Sequence, residues 1–130
     1  MNKLIIIGST SDICRTKVFN NINNANLFSK IYCYGWENWT NIELCNYFLT
    51  KVKGDTFNLI DKVEFIKGNY NDYVSTIKHL IDKDTIIYIS TPPVCYKSIL
   101  QQLGTTNVKM LFEKPFASNF DNYCCIEKYI

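Results

Sequence analysis

The sequence is short of the residues that build metal centres and disulfide frameworks. It has a single histidine, His79, and its six cysteines include no Cys-x-x-Cys pair. Zinc sites need clustered cysteine and histidine ligands, so we expect no metal. The cysteines, at positions 14, 33, 45, 95, 124 and 125, are expected to be free thiols in a reducing cytoplasm.

The sequence also lacks a block of one charge and a long apolar run. Its net charge is +2 over 130 residues, which gives no basis for binding nucleic acid or a membrane surface. The apolar run Leu4–Ile7 has four residues before Gly8, too few for a signal peptide or a membrane span. We therefore expect a single domain over residues 1–130, located in the cytoplasm.

Five apolar, strand-like runs alternate with helix-like stretches along the chain. Hydrophobicity is continuous in the first and fourth runs, which is typical of strands buried on both faces. The pattern predicts an α/β, Rossmann-like three-layer fold, in which a five-stranded parallel sheet carries helices on both faces. Right-handed crossovers then place the carboxyl ends of the strands, and hence a ligand crevice, on one edge. The strands are expected at 3–7, 30–35, 62–68, 85–91 and 108–113, and the helices at about 12–22, 41–59, 70–82, 93–103 and 118–129.

The turn after the first strand, "GSTSDICRTK", has the form of a phosphate-binding loop with one glycine replaced. Gly8 permits a tight turn, and the backbone N–H groups that follow can face an anion at the start of the first helix. Such loops normally have a second glycine, which lets the backbone approach the pyrophosphate. Ser11 stands there and either crowds the phosphate or donates to it; an ordinary helix start capped by Ser11 or Asp12 explains the same residues. The candidate ligands in this loop are Gly8, Ser9, Thr10, Ser11, Asp12, Ile13, Arg15 and Lys17.

Four segments, in order along the chain, resemble the coenzyme domain of the glucose-6-phosphate dehydrogenase family. "GSTSDICRTKVF" is similar to that family's Gly-x-x-Gly-Asp-Leu-Ala-x-x-Lys loop, and "GNYNDYVSTIKHL" (68–80) to its Gly-x-Tyr-x-Asp segment. "IIYISTPPVCYKSIL" (86–100) is similar to Tyr-Leu-Ala-Leu-Pro-Pro-x-x-Tyr, and "LFEKPFA" (111–117) to Val-Glu-Lys-Pro-Phe-Gly. The resemblance implies that residues 1–130 form an NAD(P)-binding domain of this family.

The last two segments add candidates at the ends of the fourth and fifth strands. Two consecutive prolines cannot continue the hydrogen bonds of a β-sheet or lie inside a helix. They therefore make the chain turn sharply over the crevice, or they simply form a rigid turn. Two charged residues at the end of a central strand are costly to bury unless they take part in a binding site. Alternatively, they form an ion pair at the rim of the sheet. The resemblance implies that Lys114 lies near the nicotinamide and the sugar phosphate. These candidates are Thr91, Pro92, Pro93, Tyr96, Glu113 and Lys114.

The residues after the second strand bear on the choice between NADP and NAD. The resemblance aligns Trp36 with an arginine that holds the adenosine 2′-phosphate in NADP-dependent relatives. Tryptophan can stack on adenine but supplies no charge, and Glu37 would repel a 2′-phosphate, whereas an acid here suits the ribose hydroxyl of NAD. Alternatively, Trp36 and Trp39 are hydrophobic cover for the second helix. The expected cofactor is NADP or NAD, with its binding weakened or lost.

The resemblance does not extend to the family's catalytic histidine. That residue lies in an Asp-His-Tyr-Leu-Gly-Lys run after the Glu-Lys-Pro-Phe motif, and these 130 residues contain no such run. His79 lies in the helix after the third strand, so it cannot supply the base within hydrogen-bond reach of a sugar hydroxyl.

We therefore expect no catalytic residue in a truncated, divergent homologue that binds dinucleotide weakly or acts as a regulator. The alternatives are a structural, self-assembling protein without cofactor and an enzyme completed by a partner chain. The expected partners are a second copy of the chain, which would form a homo-oligomer, or a complete dehydrogenase chain.

Overall fold

One parallel sheet of five strands organises the protein. The computed structural model describes residues 2–9, 17–25, 27–68, 72–91, 95–103 and 108–112. The strands are β1 (Asn2–Ile7), β2 (Phe28–Gly35), β3 (Val63–Lys67), β4 (Thr85–Ile89) and β5 (Lys109–Phe112). They pair in the order β3-β2-β1-β4-β5, and every pairing is parallel. The predicted five-stranded parallel sheet is confirmed.

Strand β1 lies at the centre of the sheet. Ile5 is paired with Tyr32 of β2 on one side and with Ile87 of β4 on the other. Its side chain and those of Ile6 and Ile7 are fully buried, because helices cover both faces of the sheet. The unbroken aliphatic run of this strand thus reflects burial on both faces, as expected for a central parallel strand.

The helices divide into two layers, one on each face of the sheet. They are α1 (Phe19–Ala25), α2 (Asn41–Leu49), α3 (Phe57–Lys62), α4 (Tyr73–Ile77) and α5 (Tyr96–Leu103). Helices α1, α2 and α3 pack through Phe19, Phe48 and Leu59 on the face that carries Leu4 and Ile6. Helices α4 and α5 pack on the opposite face, against Ile5 and Ile7. The predicted three-layer arrangement is confirmed.

The single helix expected over 41–59 is wrong, because two helices separated by a loop occupy this stretch. Gly54 in the loop has a φ of +86°, a left-handed conformation that an α-helix does not contain. The side-chain amide of Asn20 on α1 donates to the carbonyl of Lys51 and accepts from the N–H of Lys53. Asn23 adds bonds to the carbonyls of residues 53 and 55, so tertiary hydrogen bonds hold the interruption in place.

The remaining helices differ from expectation mainly at their ends. Helix α1 ends at Ala25, three residues beyond the predicted 22. The predicted helix 70–82 is shorter, since α4 gives way to a 3₁₀ turn over Lys78–Leu80. Helix α5 follows the prediction for 93–103 within the described part. The helix predicted at 118–129 lies outside the described residues.

Candidate functional site

The strand order places the predicted crevice at the carboxyl edge of the sheet, between β1 and β4. The chain builds outward from β1 to β2 and β3, then crosses back to place β4 on the other side of β1. Ligands of open α/β sheets bind outside the carboxyl ends of the strands at such a switch point. Gly8 follows β1 and Thr91 follows β4, so both candidates lie at this edge.

Gly8 makes the tight turn that the sequence predicted for it. Its φ is +85°, and a Cβ atom there would lie 2.9 Å from the carbonyl carbon of Ser90 and 3.0 Å from Cγ2 of Thr91. The Gly8 N–H donates to the carbonyl of Tyr34 at 3.0 Å, and the Ser90 N–H donates to the carbonyl of Ile7 at 2.8 Å. Glycine is therefore required both by the backbone conformation and by the close approach of the segment after β4.

Ser9, the next candidate, is oriented inward. It is fully buried, and both its N–H and its hydroxyl donate to the carbonyl of Tyr34, each at 3.4 Å. The Ser9 side chain thus braces the turn against β2. Lys17 lies exposed just before α1. The other loop candidates, Thr10, Ser11, Asp12, Ile13 and Arg15, lie outside the described residues.

The Thr91 hydroxyl lies at the crevice and has no evident structural role. The residue is buried, and its Oγ1 atom makes no regular hydrogen bond within the described residues. Its side chain interacts with the Cys95 thiol: burial raises the pKa of Cys95, and a weak hydrogen bond with Thr91 acts in the opposite direction. Because a thiol is a weak hydrogen-bond partner, the Thr91 hydroxyl retains capacity for a ligand.

Tyr96 belongs to the core below the crevice. Its side chain is 1% exposed, and its ring packs edge-on against Phe112 with the ring centroids 4.8 Å apart. Any effect of Tyr96 on a cofactor would therefore pass through the residues that it supports. The neighbouring candidates Pro92 and Pro93, and the pair Glu113 and Lys114 after β5, lie outside the described residues.

The carboxyl end of β2 forms a second part of the site. Trp36 projects into solvent with 64% of its surface exposed, whereas Trp39 packs against Tyr47 of α2 and Phe65 of β3. The interpretation as hydrophobic cover is therefore confirmed for Trp39 but is wrong for Trp36. Next to Trp36, the Oε1 atom of Glu37 is buried and makes no hydrogen bond within the described residues.

Tyr34 is a positioning residue that the sequence analysis missed. Its backbone carbonyl accepts the hydrogen bonds from Gly8 and Ser9, and its fully buried side chain is hydrogen-bonded to Thr76. Burial is the main cause of a raised pKa at Tyr34, and the Asp72 charge adds to it, while the bond to Thr76 acts in the opposite direction. A Cβ atom on Gly68 would lie 2.1 Å from the Tyr34 hydroxyl oxygen. The signal available in the sequence was this glycine directly after β3.

Asp72 fixes the start of α4 beside this pair. Its carboxylate accepts from the Ser75 N–H at 3.1 Å and from the Ser75 hydroxyl, and these bonds lower the pKa of Asp72. Its backbone carbonyl accepts from the Thr76 hydroxyl at 3.1 Å. Thr76 and Tyr34 therefore connect the start of α4 to the turn after β1.

His79 lies at the opposite edge of the sheet from the crevice. It is exposed in the 3₁₀ turn that leads to the amino end of β4. At the same edge the Lys3 ammonium donates to the carbonyl of Leu80. The expectation that His79 cannot act at the crevice agrees with this placement.

The described residues contain neither a metal centre nor a membrane-spanning helix. Among them, no group of three His, Cys, Asp or Glu side chains is placed to hold a metal ion. No helix in these segments combines the length and the apolar character that a membrane crossing requires.

Comparison with known proteins agrees with the fold and with the four sequence segments. The family described as "Glucose-6-phosphate dehydrogenase, NAD binding domain" matches residues 5–130. The chain belongs to this family. A glucose-6-phosphate 1-dehydrogenase from Encephalitozoon cuniculi is 26% identical over 129 residues, which cover 98% of this chain and 29% of that protein.

Solved structures of glucose-6-phosphate dehydrogenases share the fold. The crystal structure of the Mycobacterium avium enzyme has a TM-score of 0.83 at 18% identity, covering 99% of this chain and 34% of that one. A second glucose-6-phosphate dehydrogenase, determined in complex with glucose-6-phosphate, has a TM-score of 0.77 at 17% identity, covering 98% of this chain and 33% of that one. The chain thus spans about a third of the length of the relatives that it matches, and corresponds to their N-terminal NAD(P)-binding domain.

Proposed function

We propose that this glucose-6-phosphate dehydrogenase-type domain binds a nicotinamide dinucleotide along the carboxyl edge of its sheet, with lower affinity than an intact family loop would give. One observation carries the proposal. Within the described residues, the buried side-chain oxygens that make no regular hydrogen bond are Thr91 Oγ1 and Glu37 Oε1. They lie on either side of the turn after β1, where a dinucleotide would cross between the two halves of the sheet.

Neither oxygen has a strong partner in the free protein: Thr91 Oγ1 has only the Cys95 thiol, and Glu37 Oε1 has no hydrogen bond within the described residues. A buried polar atom without a partner costs about 1–3 kcal/mol, so such atoms are uncommon away from functional sites. A bound dinucleotide would supply hydroxyl and amide donors to both oxygens. The chain's own contribution is to hold Thr91 and Glu37 in place, with the turn at Gly8 between them.

The phosphate loop supports binding of reduced strength. Ser11 stands where the family has the glycine that admits the pyrophosphate. A serine side chain at that position of the family loop would narrow the approach of the backbone to a pyrophosphate. Calorimetric titration of the 130-residue chain with NAD, NADP and their reduced forms tests the proposal. Saturable binding with one dinucleotide per chain is expected, and absence of heat at millimolar ligand would overturn it.

The substitution Thr91→Val separates a ligand role from a structural role. It removes the hydroxyl but keeps the branched shape and the methyl group near Gly8. Because the hydroxyl makes no regular hydrogen bond, we expect unchanged or higher thermal stability together with weaker dinucleotide binding. Thr50→Val, at an exposed position beyond α2, is the matched control and should leave affinity unchanged. Lower stability of Thr91→Val with unchanged affinity would assign the hydroxyl to the fold alone.

We also propose that these 130 residues alone do not oxidise glucose-6-phosphate. The chain has one histidine, and His79 lies at the wrong edge of the sheet to deprotonate a substrate in the crevice. A positioned general base contributes about 10²–10⁴-fold to a rate. Incubation of the purified chain with glucose-6-phosphate and either dinucleotide should give no reduced cofactor. Substrate-dependent formation of NADPH or NADH would contradict this.

A further inference from the structure

The outer side of helices α2 and α3 carries an open groove beside the edge strand β3. Its volume is about 460 Å³. Cys45 and Val63 are buried and form its floor. Its apolar walls are formed by Ile42 and Leu49 of α2 and by Ile60 of α3. A groove of this volume is large enough to take an aromatic side chain.

Exposed apolar side chains surround this groove. Ile42 is 73% exposed, Phe57 is 68% exposed and Ile60 is 41% exposed. Phe57 and Ile60 are three positions apart on α3, so they lie on the same side of that helix. The three residues are half of the six large hydrophobic side chains that are exposed in the described part of the chain. We call these three residues and the groove the α2–α3 patch; clustered apolar surface of this kind is typical of protein–protein interfaces.

Specific hydrogen bonds hold the patch in place. The Asp55 carboxylate accepts from the Phe57 N–H at 3.0 Å, and Asn23 of α1 donates to the Asp55 carbonyl at 3.1 Å. Helix α2 begins with a capping box, in which Thr40 and Glu43 are bonded reciprocally. An apolar surface that is already fixed loses little conformational freedom when it binds. The patch is therefore suited to docking.

The edge of β3 beside the groove is not open to an added strand. The Phe65 N–H donates to the side chain of Asn41 on α2 at 2.6 Å, and the Val63 N–H donates to the carbonyl of Leu59 on α3. A strand that extended the sheet here would need both N–H groups. A partner of the patch must therefore dock through its side chains.

Charges of both signs lie at the groove. Lys30 and Asp61 both line it. Lys30 is 3.4 Å from Glu64, whereas Asp61 has no ion pair among the described residues. Two identical faces bring like charges together unless each face carries both signs. This face carries both signs, and it also carries a groove next to the projecting ring of Phe57, so it has the self-complementarity that a two-fold interface requires.

We propose that the α2–α3 patch is the interface of a homodimer in which Phe57 of each copy occupies the groove of the other. Lys30 of one copy then faces Asp61 of the second. With 68% of its surface exposed, Phe57 contributes about 100–170 Å² of buried area per copy, to which Ile42 and Ile60 add. A stable interface needs about 800 Å² per copy, so the dimer should be weak and should depend on protein concentration. Its formation is independent of dinucleotide binding, because the patch lies beside β3 and the crevice lies between β1 and β4.

Sedimentation equilibrium of the 130-residue chain over a range of concentrations tests the interface. The unmodified chain should show a monomer–dimer equilibrium. Phe57→Gln and Ile42→Gln should each raise the dissociation constant about tenfold or more, and both should stay folded because the side chains are exposed. Leu111→Gln removes a comparably exposed side chain from the opposite edge strand, β5, and should have a smaller effect. A monomer at every concentration, or association that is lost only in Leu111→Gln, would overturn the proposal.

Charge reversal tests whether Lys30 and Asp61 face each other across the interface. Asp61→Lys gives a face with two lysines, and Lys30→Glu gives a face with two acids, so each variant alone should dimerise more weakly than the unmodified chain. An equimolar mixture should form a heterodimer more tightly than either variant forms a homodimer. Circular dichroism of each variant controls for folding. A mixture that associates no more tightly than the separate variants would refute this arrangement.

Discussion

Replacement of Gly68 by alanine should destabilise the protein by driving a methyl group into the buried ring of Tyr34. The new Cβ atom would lie 2.1 Å from the hydroxyl oxygen, 2.2 Å from Cζ and 2.3 Å from Cε2. Ordinary contacts of a Cβ atom lie between 3.4 and 4 Å, so the ring or the backbone must move by more than 1 Å. The fully buried Tyr34 has little room to move.

The expected loss in free energy of unfolding is about 3 kcal/mol, at the upper end of the usual cost of overpacking. For a domain of this size, that loss lowers the melting temperature by about 10 °C. Urea unfolding followed by circular dichroism measures the loss. Gly54→Ala is a useful contrast, because its Cβ atom meets nothing within 4 Å and the cost, about 1–2 kcal/mol, comes from its positive φ alone.

A second substitution tests whether the contact with the ring is the cause. Tyr34→Leu removes the ring atoms that clash and should itself cost about 2–4 kcal/mol as a large-to-small change. In that background Gly68→Ala should cost little, so the double variant should be about as stable as Tyr34→Leu. Gly54→Ala should remain additive with Tyr34→Leu. Additivity of Gly68→Ala with Tyr34→Leu would refute the reasoning.

Three other expectations concern acid stability, cofactor preference and assembly. Asp82, 2.6 Å from the Lys3 ammonium, has a pKa lowered chiefly by that lysine. Its stabilising contribution should therefore be present above the ordinary value of 3.8 and be lost as the pH falls below it through the lowered pKa. Acid titration should show a smaller loss of stability in Asp82→Asn. Trp36→Arg should raise the affinity for NADP, and Ser11→Gly should raise the affinity for both dinucleotides, each measured by calorimetry. Light scattering should show self-association, for which Leu111, 54% exposed on edge strand β5, offers apolar surface. A monomer at high concentration would contradict it.

The sheet could be predicted from the sequence because its signal is local. Runs such as Leu4–Ile7 are continuous aliphatic stretches bounded by a glycine, and burial on both faces is the physical reason for that pattern. The alternation of strands with helices indicated their parallel direction. All five strands therefore lie where the sequence placed them, to within two residues at either end.

The break between α2 and α3 could not be predicted in the same way. It depends on hydrogen bonds from Asn20 and Asn23 to backbone groups about thirty positions along the chain. In the sequence these asparagines indicated only polar helix ends and a loop, and Gly54 alone does not distinguish a helix end from a tolerated interior glycine.

Only part of the candidate site could be predicted, because some of its features depend on contacts between distant segments. The tight turn at Gly8 could be predicted from a glycine that follows a buried strand. The location of the site at the carboxyl edge could be predicted from the parallel topology. The role of Tyr34 depends on its contacts with Gly68 and Thr76, which come from a different strand and helix. The burial of the Glu37 Oε1 atom likewise depends on Gly35, where a Cβ atom would lie 2.8 Å from that oxygen.

The central place of β1 has a consequence for synthesis of the protein on the ribosome. Strand β1 is synthesised well before its partner β4, which begins at Thr85, so one side of its backbone stays unpaired until β4 has been made. Ile5 and Ile7 lie on the face that α4 and α5 cover, and these helices also emerge late. At about 5–20 residues per second, the nascent chain carries this apolar strand uncovered for several seconds, which is the interval when a ribosome-bound chaperone would protect it.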